Sequence, residues 1–176
     1  MIEYKILQEH EINCQLFHAF IRHQIVDQCL RYENGTWVVR SAPFIDDWSE
    51  EEYEIVVDCL RNTIRTGGFV CGAFFNDELK GFVSVENGLF GKKDQYYDLS
   101  SIHVSEDMRR HGIGKNLFLI AAEWARKQGA KKLYISAHSA IESQAFYYSM
   151  GCVDAVECNQ KHIEAEPYDR QLEYIL

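Results

Sequence analysis

The stretch Arg109-Arg110-His111-Gly112-Ile113-Gly114 constrains this chain more than any other, because it falls between a predicted strand ending at Val104 and a predicted helix beginning near Gly112. Glycines at such a turn remove the Cβ atoms that keep a ligand away from the backbone, and they permit conformations closed to other residues. The first turn of a helix leaves its N–H groups without intrahelical partners, and the positive end of the helix dipole lies there too. Together these make a ready phosphate site, to which Arg109, Arg110 and Lys115 add positive charge. Spacing excludes two other phosphate loops. A dinucleotide-binding fingerprint begun at Gly112 requires a third glycine where Leu117 stands, and a Walker A loop ending at Gly114-Lys115 requires Ser or Thr at Asn116 and glycine at Arg109. Taken alone, the turn is also compatible with a purely structural role.

Periodicity predicts the setting of this turn. Tyr4 to Leu7 reads as a short strand, and apolar residues at helical spacing (Ile12, Leu16, Phe17, Phe20, Ile21, Ile25 and Leu30) predict a first helix. A second helix is expected from Ser49, where Ser49 and Glu52 form a capping box, to Gly67-Gly68. Phe69 to Phe75 and Leu79 to Val85 are β-rich runs joined by a short polar turn, which predicts an antiparallel hairpin, and Tyr96 to Val104 is a third strand. An amphipathic helix follows to Gly129, then a strand from Leu133 to Ala137. A helix capped by Ser139 and Glu142 and stopped at Gly151 comes next, and Gln171 to Ile175 is a last strand. The expected order is strand, two helices, three strands, helix, strand, helix and two strands, an α/β fold with a mixed sheet.

Composition narrows the function. A length of 176 residues without linker, repeat or low-complexity tract predicts one domain spanning 1–176. The net charge of −9 argues against nucleic acid or an anionic membrane as partner, and tilts the expectation slightly toward a cationic acceptor. The scattered cysteines Cys14, Cys29, Cys59, Cys71, Cys152 and Cys158 show no paired motif and read as reduced thiols, and no His-x-x-x-His pair suggests zinc, so no metal is expected. No apolar run reaches spanning length, and the start of the chain lacks a signal-peptide pattern, so the expected compartment is the cytoplasm.

Arg109, Gly112 and Gly114 match Arg/Gln-x-x-Gly-x-Gly/Ala, and the sequence here resembles the GNAT acetyltransferases. The resemblance extends from about Phe69 to the end: the strand Leu99-Ser100-Ser101-Ile102-His103-Val104, the amphipathic helix, the next short strand, and Phe146-Tyr147 before Met150-Gly151. It implies a mostly antiparallel mixed sheet flanked by helices, with acetyl-CoA in a cleft beside the third and fourth sheet-core strands. It further implies a pyrophosphate held across Arg109, Arg110, His111, Gly112, Ile113, Gly114 and Lys115, and pantetheine along the backbone of Ile102, His103 and Val104. An open strand edge offers unpaired N–H and C=O groups that can bind amides and polarise a thioester carbonyl.

By the same resemblance, Tyr147 is the candidate general acid for the leaving thiolate, with Tyr148 as the alternative, and Asp98 is the candidate base. Glu86, His103 and His138 are rivals for the base, as is ordered water. The family's asparagine and alanine ahead of the Phe-Tyr pair are replaced by Ala140 and Ser143, so Ser139 or Ser143 could supply a hydroxyl to pantetheine instead. Trp37 to Tyr53, with Phe44, Asp46, Asp47, Trp48 and Glu50 to Glu52, lies where acceptor specificity arises in that family. Aromatic walls with carboxylates suit a cationic amine, although acids in a first helical turn also serve the dipole alone. The expected function is transfer of acetyl from acetyl-CoA to an amine of a small molecule. A non-catalytic acyl-CoA-binding module and a protein or peptide acetyltransferase stand as alternatives, and the oligomeric state, a homodimer included, is open.

Overall fold

The predicted hairpin forms the middle of the sheet. In the computed structural model, which describes Met1 to Leu176, β4 (Phe69–Phe75) and β5 (Glu78–Val85) are joined by Asn76 and Asp77. Both residues adopt positive φ, 51° and 64°, which a two-residue type I′ turn requires. β1 (Ile2–Ile6) pairs antiparallel with β4, and β6 (Tyr96–Val104) antiparallel with β5. β7 (Lys132–Ala137) runs parallel to β6, β9 (Arg170–Ile175) antiparallel to β7, and the two-residue β8 (Val153–Asp154) closes the far edge. The seven strands lie in the order β1-β4-β5-β6-β7-β9-β8, a mixed and mostly antiparallel sheet as expected.

One junction in this sheet is incomplete. β6 and β7 pair only through Tyr96↔Lys132, Tyr97↔Leu133 and Asp98↔Tyr134, whereas β6 stays on β5 as far as Val104↔Gly81. Past Asp98 the two parallel strands part, and a wedge opens between them.

Each face of the sheet carries its own core. On one side α2 (Ile113–Lys127) lays Ile113, Leu117, Phe118, Ala121 and Ala125 over Val83, Val85, Leu99, Leu133 and Ile135, with Tyr147 of α3 (Ile141–Ser149) in the same cluster. On the other, Val57 and Leu60 of α1 (Glu50–Arg65) join Ile12, Phe17 and Phe20 over Val70 and Phe82. The capping box of α1 forms as predicted, Glu52 N–H donating to Ser49 Oγ and Ser49 N–H to Glu52. α2 sits close to β5: a Cβ on Gly81 would lie 2.7 Å from Ile113 Cγ2 and 3.0 Å from Leu117 Cδ1. Gly81→Ala therefore overpacks this contact and is expected to cost about 1–3 kcal/mol, read as a lower Tm.

Two expectations need correction. The first predicted helix does not exist. Ile12, Phe17 and Phe20 do turn inward, but from short 3₁₀ turns at Glu9–Glu11 and Cys14–Phe17. The chain then runs as β2 (His23–Glu33), which pairs antiparallel with β3 (Thr36–Asp47) in a separate two-stranded ribbon. Asn34 and Gly35, at φ 49° and 81°, make its turn. Asn-Gly is the strongest short-range hairpin signal, and here it outweighs the helical spacing of Ile21, Ile25 and Leu30. The second correction concerns α3, whose N-cap is Ala140 with no side-chain cap. Ser139 is claimed by the ribbon: its C=O accepts from Leu30 N–H (2.8 Å) and its Oγ from Arg31 (3.0 Å). The ribbon is pinned further by stacking of Arg31 on Tyr168 and Arg170 on Trp37. α4 (Gln160–Ala165), between the last two strands, was not anticipated. None of the helices is long and apolar enough to cross a membrane.

Candidate functional site

The signature turn leaves Val104 through a 3₁₀ turn at Glu106–Met108 and enters α2 at Gly112. Arg110 and Gly112 both adopt left-handed φ, 63° and 79°. The first backbone bond of the helix is Asn116 N–H to Gly112 C=O (3.1 Å), and none of the N–H groups of Arg110, His111, Gly112, Ile113, Gly114 and Lys115 donates to the chain's backbone. A Cβ on Gly112 would meet nothing within 4 Å, so the approach to these donors is open; on Gly114 it would meet the Phe146 ring at 3.3 Å. A run of unpartnered N–H groups at the positive end of a helix fits a pyrophosphate. The exposed side chains of Arg110, His111 and Lys115 surround it.

Arg109 behaves differently from its neighbours. Its N–H bonds Glu106 C=O, and its guanidinium donates to His23 C=O (2.6 Å) and Val104 C=O (3.4 Å). It ties the start of β2 to the end of β6 and so positions the turn. Lys80 fixes the same turn from below, donating to Asp107 and to Ala19 C=O, both at 2.8 Å. Because charged hydrogen bonds contribute roughly 1.5–3 kcal/mol, Arg109→Ala is expected to destabilise the fold by about that amount, measured by urea denaturation.

The wedge supplies the second element. Ser105 N–H donates to Lys80 C=O (2.9 Å), and alternation along an antiparallel ladder then directs the backbone of His103 and Ser101 toward β5. The polar backbone groups of Ile102 and Val104 face the open edge, with Val104 C=O shared with Arg109. His103 thus offers the wedge no main-chain donor, unlike the expectation for it. Its ring lies on the other face, 4.9 Å from Trp48 and 5.3 Å from Phe82. Burial, and then the nearby Arg22 and Arg109 charges, push its pKa down to about 3, which leaves it too weak a base for an ammonium.

Around the apex of the wedge, the face opposite α2 is polar. Asp98 projects there and accepts from His162 Nε2 of α4 at 2.6 Å, while its Oδ1 is buried without a partner. The ring of His162 stacks on Tyr134 at 5.8 Å. Asp169, just ahead of β9, accepts from Ser136 Oγ (3.0 Å), and burial raises its pKa. Glu86 already holds the hydroxyls of Thr63 and Ser100, both at 2.7 Å. His138 is exposed, its Nδ1 accepting from Ala140 N–H (3.1 Å) and its ring 5.8 Å from Phe44 of the ribbon. Asp46 and Asp47 are taken up within the ribbon's base by Arg22 and His23. Tyr147 is buried on α3, and burial, followed by Cys152 and Asp169, drives its phenol well above the usual value. Tyr148 is 82% exposed on the far side of the same helix, away from the core that holds Tyr147. Asp169, His162 and Tyr134 were not singled out from the sequence; only the pairing of β9 with β7 and the docking of α4 on Tyr134 bring them to this spot. No group of three or more His, Cys, Asp or Glu side chains is arranged to hold a metal ion.

Residues 31–152 match the model of the acetyltransferase (GNAT) family. No curated protein matches the chain. Among solved structures, a Bacillus anthracis str. Ames protein described as a streptothricin acetyltransferase, in complex with acetyl coenzyme A, superposes with a TM-score of 0.73 at 16% identity over 100% of this chain and 98% of that one. Nourseothricin acetyltransferase gives 0.67 at 18% identity over 98% and 95%. The PaiA N-acetyltransferase of Thermoplasma acidophilum, in complex with coenzyme A, gives 0.62 at 18% identity over 100% and 99%.

Proposed function

Because this chain belongs to the GNAT acetyltransferase family, whose members use acetyl-CoA, we propose that it transfers acetyl directly from that thioester to a primary amine of a small cationic molecule. The observation that carries the reading is the run of unpartnered N–H groups from Arg110 to Lys115 beside an open Gly112. These donors take the pyrophosphate, and the free edge of β6 at Ile102 and Val104 takes the pantetheine amides. Residues 1–176 act as one N-acetyltransferase domain. The free thiols of all its cysteines suit a reducing compartment such as the cytoplasm.

Acetyl-CoA supplies an activated acyl carbon with a thiolate leaving group. The amine reaches it from the polar side of the sheet, where the Asp98 and Asp169 carboxylates favour a cation and Phe44 of the ribbon, with Trp48 just past its end, walls the approach. Asp98 stands at the wedge apex and belongs to the group that takes up the amine's proton. Tyr147, its phenol held protonated by burial, donates to the departing sulfur. A small amine rather than a protein tail fits this arrangement because the ribbon is pinned across the acceptor side at Ser139 and Tyr168.

Calorimetric titration of acetyl-CoA into the protein, followed by a thiol-release assay across an amine panel, tests the reading. Nourseothricin, streptothricin and spermidine head the panel. Micromolar binding with amine-dependent thiol release supports it; absence of binding would sink it, and binding without release from any amine would favour a regulatory acyl-CoA-binding module.

A further inference from the structure

We propose that the proton acceptor for the amine is not Asp98 alone but a His162–Asp98 dyad, in which His162 Nδ1 takes the proton and Asp98 orients the ring and stabilises its cation. The inference rests on the acetyl-transfer reading above. Three features of geometry carry it. His162 Nε2 is engaged by Asp98 Oδ2 at 2.6 Å, which fixes the tautomer with the proton on Nε2 and leaves the Nδ1 lone pair outward. Nδ1 has no hydrogen-bond partner in the chain, and the His162 side chain is 29% exposed, so it is reachable. The ring is also clamped face-on by Tyr134, with 23° between the planes, and α4 serves as the arm that delivers it to the wedge apex.

The carboxylate–imidazole pair is better suited to the task than a lone carboxylate. A lone carboxylate is a weak acceptor for an alkylammonium proton, whereas an imidazole has an intrinsic basicity matched to neutral pH. The charged groups facing His162 are Asp98 from β6 and Asp169 from the segment ahead of β9, and Tyr134 of β7 stacks on it. The hydrogen bond to Asp98 is the main cause of a raised His162 pKa, and Asp169 adds to it. In the reaction, Nδ1 removes one proton from the ammonium and the freed amine attacks the thioester carbonyl carbon. The adduct's second N–H proton passes to solvent water as the C–S bond breaks, and Tyr147 protonates the thiolate and is reprotonated from solvent. One proton is released to solvent per turnover once His162 and Tyr147 are reset.

The test compares wild type with His162→Gln, which retains an N–H donor toward Asp98, His162→Ala and Asp98→Asn, using nourseothricin and spermidine as amines. The wild-type kcat rises with pH through an apparent pKa above the ordinary histidine value. His162→Gln is expected to lose about 10²-fold in kcat and to lose that limb, with KM for acetyl-CoA unchanged, and added imidazole partly restores His162→Ala. Independently of turnover, the His162 ring proton resonance should titrate above 6.5 in wild type and fall toward that value in Asp98→Asn. A His162→Gln enzyme with wild-type rate and pH limb, or a ring that titrates identically with and without Asp98, overturns the dyad while leaving acetyl transfer standing. Absence of wild-type thiol release with either amine counts against transfer to a cationic amine, and the dyad falls with it.

Discussion

Gly112→Glu should weaken acetyl-CoA binding more than about 100-fold, a loss of roughly 2.7 kcal/mol, while leaving the protein folded. Two effects on stability oppose each other. A non-glycine residue at φ 79° costs about 1–2 kcal/mol in the left-handed region. A carboxylate at a helix N-terminus stabilises the dipole by about 0.3–1 kcal/mol, so the net change in Tm is small. Binding has no such compensation. The space above Gly112 holds no protein atom within 4 Å, so the new carboxylate extends into the approach to the donors and competes there with the phosphates. Calorimetry with acetyl-CoA reads the affinity and a melting curve reads the fold; a variant that binds like wild type would remove the cradle from the mechanism.

Tyr147→Phe isolates the acid. The ring packs against Phe146 at 5.2 Å and Phe118 at 6.5 Å, and phenylalanine keeps both contacts. The hydroxyl enters no hydrogen bond within the chain, its pKa shift arising from burial and from the neighbouring Cys152 and Asp169. Removing it should leave stability and the KM for acetyl-CoA unchanged and lower kcat about 10²-fold. Because burial raises the phenol's pKa, it stays protonated well above its ordinary titration range, so wild-type activity should show no alkaline fall from this group below pH 10. An unaltered kcat in Tyr147→Phe would return the residue to the role of core packing.

Much of this was legible in the sequence from Ser49 onward, and the reason is locality. The α1 capping box, the β4–β5 hairpin and the glycine-bounded α2 each depend on residues close together in the chain, and each appears with boundaries displaced by at most a few positions. The region before Ser49 was misread because Ile12, Phe17 and Phe20 carry real helical spacing, here borne by 3₁₀ turns, and the pattern was extended into residues that alternate in a ribbon. The Asn34-Gly35 turn was the available signal. Tertiary competition misled the reading of Ser139, whose hydroxyl accepts from an arginine 108 residues away. The site divides in the same way. The turn proposed as the phosphate cradle is local and could be read from the sequence; the proposed acceptor floor assembles Asp98, Ser136, His162 and Asp169 from separate elements, and of these only Asp98 was named beforehand.

The proposed cofactor site is written in main-chain amides and so has no side chain to mutate away. As long as Arg110 and Gly112 hold their left-handed turn, side-chain exchanges elsewhere along the cradle leave its donors in place. The proposed acceptor floor is spelled out in individual carboxylates, hydroxyls and a histidine, beneath a ribbon that belongs to neither core of the main sheet. One half of the molecule is therefore buffered against drift, and the other can be retuned by single exchanges. That division makes the ribbon and α4, rather than the glycine turn, the places where a change of amine would be engineered.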